Sequence, residues 1–222
     1  MIKIKKYDKK AGKISFITDM SINLANAIRR SVLEIPIMAI DEVEISQNDS
    51  ALYDEILAHR IGMIPIKTEK VSGDKVKFKL KEKGPKTIYS SDFKPFVGTD
   101  CKLLIVFLEE GQEIQLVATA KPGKGTEHMK YSPGLIYYKH NIDPEILDYV
   151  HVDEEGRISY DEDELKEKRV SDEQMNKIRK VSKVDELVFN IESWGQIEVK
   201  KIFLEAIDVL DKNLKELGKA VK

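Results

Sequence analysis

The sequence predicts an α+β protein in which strand and helix elements at the two chain ends flank a mainly β middle. Three observations lead there. The N-terminal stretch alternates apolar residues and then changes to helical spacing. Residues from about 39 to 140 carry a succession of short alternating runs with one helical pattern among them. The chain closes on another alternating run followed by a helix of some 20 residues.

Each element can be justified in order. "IKIKKYDKKAGKISFIT" places Ile2, Ile4, Ile14 and Phe16 on alternate positions around the turn-rich "DKKAGK", which predicts a β-hairpin with one buried face. Ser21 is suited to cap the next helix, along which Leu24, Ile28 and Val32 recur at i, i+4 and i+8 with Ala27 between. Pro36 ends that helix by removing a donor and disfavouring the helical conformation at Ile35. "IMAIDEVEISQ" reads as a strand. In "ALYDEILAHRIGMIPI" the residues Leu52, Ile56, Leu57 and Ile61 return to helical spacing, with Gly62 placed as a cap and Pro65 as a stop. "KVKFKL", "TIYSSDF", "KLLIVFL" and "EIQLVATA" are strand signals, and "EEGQ" between the last two is a hairpin turn signal.

The segment from about 141 to 181 differs. Between Asp153 and Arg169 it holds eight acids against four bases with few large apolar residues, the pattern of short surface helices or a mobile insertion. Asp143-Pro144-Glu145 is a helix-start signal, and Ser171 with Gln174 matches a capping box. "LVFNIESWG" then alternates as a strand through Leu187, Phe189 and Ile191, broken at Gly195. In the final helix Val199, Phe203, Ala206, Leu210, Leu214 and Leu217 form a stripe close to coiled-coil spacing, widened by Ile202 and Val209. So broad a stripe needs a large apolar counterpart. The N-terminal helix is about half as long, so a partner chain is the natural source of the rest.

Composition narrows the function. In 222 residues, 37 Lys and Arg face 39 Asp and Glu for a net charge of -2, without the basic excess of a dedicated nucleic-acid binder. The single cysteine, Cys101, excludes an intrachain disulfide and reads as a small buried hydrophobe. No apolar run is long enough to cross a membrane, and "MIKIKKYDKK" lacks a signal-peptide core, so a cytoplasmic location is expected.

Candidate chemistry is sparse. His59, His128, His140 and His151 are scattered without metal-ligand spacing, and no metal site is expected from them. "KPGKGTEH" contains Gly-Lys-Gly-Thr after a strand, but Ala118 stands where a phosphate loop needs its first glycine. "MKYSPG" follows where that loop needs a helix, so the expectation is a flexible basic loop that orders against a partner. Asp41, Glu42 and Glu44 could hold Mg²⁺, yet alternation puts Asp41 on the opposite face from the other two; solvated or partner-facing carboxylates are expected. Arg29 and Arg30 sit at a helix C-terminus, where cations complement the dipole, and a guanidinium also suits carboxylates at a protein interface.

Taken together, "NLANAIRRSVLEIPIMAIDEVEI", "LYDEILAHRIGMIPI", "GKGTEHMKYSP" and "FNIESWGQIEV" resemble, in this order, the platform subunit of multisubunit DNA-directed RNA polymerases in its archaeal form. The chain is also similar to the eukaryotic third-largest subunits and more distantly to the bacterial α N-terminal domain. The resemblance implies a discontinuous dimerisation domain, an antiparallel sheet with two helices built from residues 1–39 and 182–222. It implies an inserted mainly β domain at 40–140. It further implies a non-catalytic assembly platform that heterodimerises with subunit L and docks the second-largest catalytic subunit and subunits N and P. Such a chain is a component of a nucleotidyltransferase with no catalytic residue of its own, and no direct nucleic-acid or membrane contact is expected. Leu24, Ile28, Val32, Phe203, Ala206, Leu210 and Leu214 are the candidate dimer interface under this resemblance. Arg29, Arg30, His59 and Arg60 are carried toward the large subunit. Many archaeal relatives carry a cysteine-rich iron–sulfur insertion; here the acidic segment 141–181 stands in its place and holds no cysteine, so no cluster is expected. Two rival readings remain open: a homodimeric scaffold, and a small standalone enzyme using the acidic trio or the glycine-rich loop to bind Mg²⁺ or a nucleotide.

Overall fold

The architecture is described from a computed structural model, for residues 2–68, 75–96, 102–153, 155–168, 170–181 and 184–221. Cys101 lies outside the described residues. The chain opens with strands β1 (Ile2–Asp8) and β2 (Lys13–Thr18), helix α1 (Ile22–Ser31), a 3₁₀ turn and strand β3 (Ile37–Asn48). Helix α2 (Asp54–Gly62) precedes β4 (Val76–Lys83), β5 (Lys86–Tyr89), β6 (Leu104–Leu108), β7 (Glu113–Gly123) and β8 (Gly134–His140). A short pair, β9 (His151–Val152) and β10 (Ile158–Ser159), leads to α3 (Glu162–Glu167) and α4 (Asp172–Lys180). Strand β11 (Leu187–Ser193) and helix α5 (Val199–Ala220) complete the chain.

The fold is α+β, a discontinuous domain of antiparallel sheet and two helices with a mainly β domain inserted. Its principal sheet has the order β1-β2-β11-β8, all neighbours antiparallel, so both chain ends meet through the pairing of β2 with β11. α1 and α5 cover one face of it. Phe16, Phe189, Ile191, Ile28, Val32, Ile202 and Ala206 share that core. Phe16 and Phe189 stack with ring centroids 5.5 Å apart, and Phe203 meets Phe16 edge-on at 5.1 Å. The second core lies between the sheet β3-β7-β4, the pair β5-β6 and α2, filled by Leu57, Ile61, Phe78, Leu80, Ile88, Leu108 and Ile114.

β3 joins the two. Its first four residues are all buried because alternate side chains enter different cores: Ile37 and Ala39 the principal one, Met38 and Ile40 the inserted one. A strand buried on both faces loses its alternation, which explains the unbroken "IMAI".

Ser21 caps α1 by accepting from the Leu24 amide at 3.4 Å, and Ile35 before Pro36 is extended, as expected. The interior companion of Ile28 is Ala25 rather than Ala27. α5 runs over the stretch read as a long helix, and the Ser171–Gln174 capping box forms at the start of α4.

Several expectations are corrected. β1 has no buried residue: it is an edge strand, and Ile2 and Ile4 remain 58% and 57% exposed. β6 and β7 do not form a hairpin. Gly111, at φ 82°, supplies the turn, but β6 then pairs with β5 while β7 pairs with β3 and β4. A turn fixes a reversal, whereas sheet membership depends on distant partners. Gly134–His140, expected in the middle unit, pairs along its whole length with β11 and belongs to the principal sheet. Asp143-Pro144-Glu145 starts no α-helix; a turn and a 3₁₀ segment follow. Ile56 faces outward at 48% exposure, while Leu57 and Ile61 carry the packing of α2. Gly62 is the last residue of α2, with Met63 in the capping position. The acidic segment folds around its own small core of Ile146, Leu165 and Ile178. Lys177 bridges from α4 to Asp143, 3.6 Å away, and to Glu145.

Candidate assembly surface

α5 is the element from which a surface can be built. Its first three turns bury Val199, Ile202 and Ala206 against the sheet and α1, with Phe203, Val209 and Leu210 half-covered. From Asp211 to Val221 every described residue is exposed. At 1.5 Å per residue this leaves an arm of roughly 15 Å with no layer over it among the described residues. Apolar residues continue along the arm: Leu214 is 58% exposed, Leu217 61% and Val221 79%.

The exposed row has its own register. Phe203, Ile207, Leu210, Leu214, Leu217 and Val221 are spaced 4, 3, 4, 3 and 4, the a/d repeat of a coiled-coil seam. This seam is rotated from the stripe that enters the core, which runs through Ile202 and Ala206. Spacing alone overlooks Ile207, because a single merged stripe conceals two neighbouring faces. Leu204, 59% exposed, widens the outer flank.

The candidate interface residues thus fall into three groups. Leu24 and Leu214 are exposed, and Phe203 and Leu210 are half-buried at the margin. Ile28, Val32 and Ala206 are 3%, 2% and 0% exposed within this chain's own core, so they support the helix layer from beneath. Their burial follows from the crossing of α1 and α5, held at one end by Asn213, whose Nδ2 donates to Glu34 Oε2 at 3.1 Å.

The four basic candidates lie on two different units. Arg29 and Arg30 are exposed in the last turn of α1, where they oppose the negative helix end; the Arg29 guanidinium donates to Asn26 Oδ1 at 2.8 and 3.2 Å. His59 and Arg60 are exposed on α2, and Arg60 donates to the Leu104 carbonyl at 2.9 Å, tying α2 to β6. His59 also lines a cleft of about 240 Å³ with Asp41, His128 and Lys130.

Asp41 departs from the expectation of a solvated or partner-facing carboxylate. It is the extra residue of a β-bulge between Ile40 and Glu42, which turns its side chain toward this chain's own cations. Lys121 reaches it at 2.7 Å and Lys130 at 2.9 Å, and the Tyr131 hydroxyl donates to it at 3.1 Å. Hydrogen bonds from Lys121 and Lys130 hold the Asp41 carboxyl well below the usual carboxylate range, while burial beside that charge pushes the Tyr131 phenol up. The cluster links β3 and β7 of the inserted domain to Tyr131, which lies in the principal core. Asp41 is therefore spent on internal pairing, while Glu42 and Glu44 stay exposed.

The glycine-rich loop is anchored as well. A Cβ at Gly123 would lie 2.6 Å from the Tyr131 ring, and one at Gly125 3.0 Å from Leu33; the Thr126 amide donates to the Leu33 carbonyl at 3.2 Å. The glycines permit close packing inside this chain, which corrects the expectation of a flexible loop.

A discontinuous sheet-and-helix domain with an inserted β domain and a bare helix seam defines the class of protein. The family described as "RNA polymerase Rpb3/Rpb11 dimerisation domain" matches residues 16–214. Among similar proteins, the DNA-directed RNA polymerase subunit Rpo3 of Thermococcus kodakarensis is 34% identical, covering 99% of this chain and 99% of its own length. That of Archaeoglobus fulgidus is 30% identical over 100% and 98%, and that of Methanocaldococcus jannaschii 33% over 94% and 90%. The chain belongs to the Rpo3 family of archaeal DNA-directed RNA polymerase subunits.

Proposed function

We propose that this subunit is the non-catalytic assembly platform of an archaeal RNA polymerase, pairing with subunit L through the outer flanks of α5 and α1. The observation that carries the reading is the apolar a/d row of α5, which continues through Leu214 and Leu217 onto its uncovered half. Exposed apolar rows of this length are uncommon on a soluble monomer and are stabilised by a second apolar surface, at about 25 cal/mol per Å² buried. In this reading residues 1–39 and 182–222, together with β8, form the dimerising unit. Arg29, Arg30, His59 and Arg60 face the second-largest catalytic subunit with guanidinium and imidazole groups suited to carboxylates, and subunits N and P join the same platform. No helix among the described residues is long and apolar enough to cross a membrane, and the assembly would act in the cytoplasm.

We also propose that the chain holds no iron–sulfur cluster. Such clusters need several thiolates; the chain has one cysteine, and the segment 141–181 has none and fills its interior with Ile146, Leu165 and Ile178. Iron analysis of purified protein should return less than stoichiometric metal; one cluster's worth of iron per chain would overturn this.

Co-expression with the same organism's subunit L, followed by size-exclusion chromatography with light scattering, tests the platform reading. A one-to-one complex is expected, with the lone chain self-associating. A monomer that ignores subunit L would refute it, and a discrete dimer of this chain alone that excludes subunit L would replace it with a homodimeric scaffold.

A further inference from the structure

The charges of the inserted domain are sorted by strand. Phe78 and Leu80 of β4 point into its core, opposite Ala118 and Leu116 of β7. Lys77, Lys79, Lys81 and Lys83 alternate with them and stand on the outer face, opposite Thr119, Val117, Gln115 and Glu113. All four lysines are exposed. On the far side of β7, Glu42 pairs with Thr119 and Glu44 with Val117, so β3 carries acids on the same face. Two strand spacings, about 10 Å, separate the acidic row from the basic one, with an uncharged strip of Gln115, Val117 and Thr119 between.

A further lysine joins from outside β4. Lys94 forms an antiparallel bridge with Lys79: each amide donates to the other's carbonyl, at 2.7 and 2.8 Å, so the two side chains share the outer face. Lysines on an edge strand also deter stray strand pairing. Here the edge is already closed at Lys79, and the segment that closes it brings another exposed lysine. Lys83 reaches Glu113 at 3.7 Å, whereas Lys77, Lys79, Lys81 and Lys94 form no ion pair among the described residues. From Lys77 to Lys83 the row runs roughly 20 Å at the rise of a strand.

We propose that this lysine row binds the phosphate backbone of duplex DNA without reading its sequence. Three features select that occupant. The row has none of the apolar anchors that form the core of a protein interface. It holds no aromatic side chain on which unpaired bases could stack, which sets aside a single strand. Lysine ammonium groups are point charges, which meet phosphates without the bidentate geometry of base recognition. The acidic row on β3 repels the same backbone and confines it to β4. The inference goes beyond the platform reading and does not depend on it. It also revises the expectation of no nucleic-acid contact. A net charge of -2 excludes such contact only where the charges are mixed, and sorting by strand leaves a local basic stripe.

In the test, full-length chain is titrated into a fluorescently labelled DNA duplex of about 20 base pairs and arbitrary sequence, read by anisotropy at about 50 and about 200 mM salt. Wild-type protein should bind at the lower salt and weaken roughly a hundredfold at the higher, as expected for about four phosphate contacts. Lys79→Gln/Lys81→Gln should weaken low-salt binding about tenfold and reduce the slope of log affinity against log salt by about two. Lys3→Gln/Lys5→Gln removes the same charge from β1, also rich in lysine, and should bind within about twofold of wild type. All four substituted side chains are exposed, so melting temperatures should match that of wild type. Absence of wild-type binding at low salt would overturn the contact. Equal losses in the two double variants would assign binding to overall charge and overturn the row. Tighter binding of single-stranded DNA or of an acidic peptide than of the duplex would assign the row to another occupant and overturn the proposal.

Discussion

The two halves of α5 carry nearly the same apolar spacing and meet opposite fates. In Val199–Leu210 the stripe lies on the sheet and α1, with Ile202 and Ala206 fully buried. In Asp211–Val221 apolar residues at comparable spacing remain uncovered, with Leu214 and Leu217 more than half exposed. The difference teaches that periodicity specifies a face but does not specify what covers it. The first half is a core helix of this chain; the second is left exposed among the described residues.

Four outcomes would break or sharpen that contrast. The largest concerns the covered half and its sheet. Ile202→Ala, at a site with 0% exposure, should cost about 2–5 kcal/mol of unfolding free energy, and Phe189→Ala about 3–5 kcal/mol, read by urea denaturation. A loss below about 1 kcal/mol at Ile202 would mean that the covered half is covered loosely. Next is the bare half: Leu214→Glu should leave the melting temperature of the lone chain unchanged while reducing binding of subunit L by roughly a hundredfold or more, as expected for a truncated interface anchor.

A smaller effect belongs to the junction of the two domains. The Asp41 carboxyl is held below its ordinary value of 3.8, so its pairing stabilises the fold at neutral pH. That contribution is present above the unfolded-state value and is lost as pH falls through the lower folded-state value. Wild-type protein should therefore lose stability on acidification below about pH 4, and Asp41→Asn should be less stable at pH 7 but show a flatter acid limb. Parallel acid limbs for the two proteins would remove Asp41 from the account. The smallest effect is at the exposed Asp211–Lys215 pair on the arm. Lys215→Ala should leave the melting temperature unchanged by calorimetry, since exposed i, i+4 pairs contribute little.

The elements themselves were largely legible. Ser21, Pro36, the Ser171–Gln174 box and the alternation of "LVFNIESWG" act within a few residues, so local chemistry decides them. What stayed hidden was decided at long range. Gly134–His140 has no local mark of belonging with residues 187–193 rather than with its neighbours in sequence. The Asp41 cluster joins residues about 80 to 90 positions apart through a bulge that alternation cannot foresee. On the candidate surface, Leu24 and Leu214 are placed where a partner could reach them. Ile28, Val32 and Ala206 share their spacing and are buried instead.

By itself, the sequence determined the α+β class, the order of helices and strands, the near balance of charge, and a single cysteine. It also determined that α5 has more apolar face than a helix the length of α1 can cover. Only the tertiary structure decided which part of that face is used internally. Coverage depends on where the sheet ends and where α1 crosses, and those limits are set by pairings between distant segments. The same physics leaves Ile2 and Ile4 exposed on the core side of β1, the strand whose Tyr7 meets Glu198 and Lys200 at the start of α5.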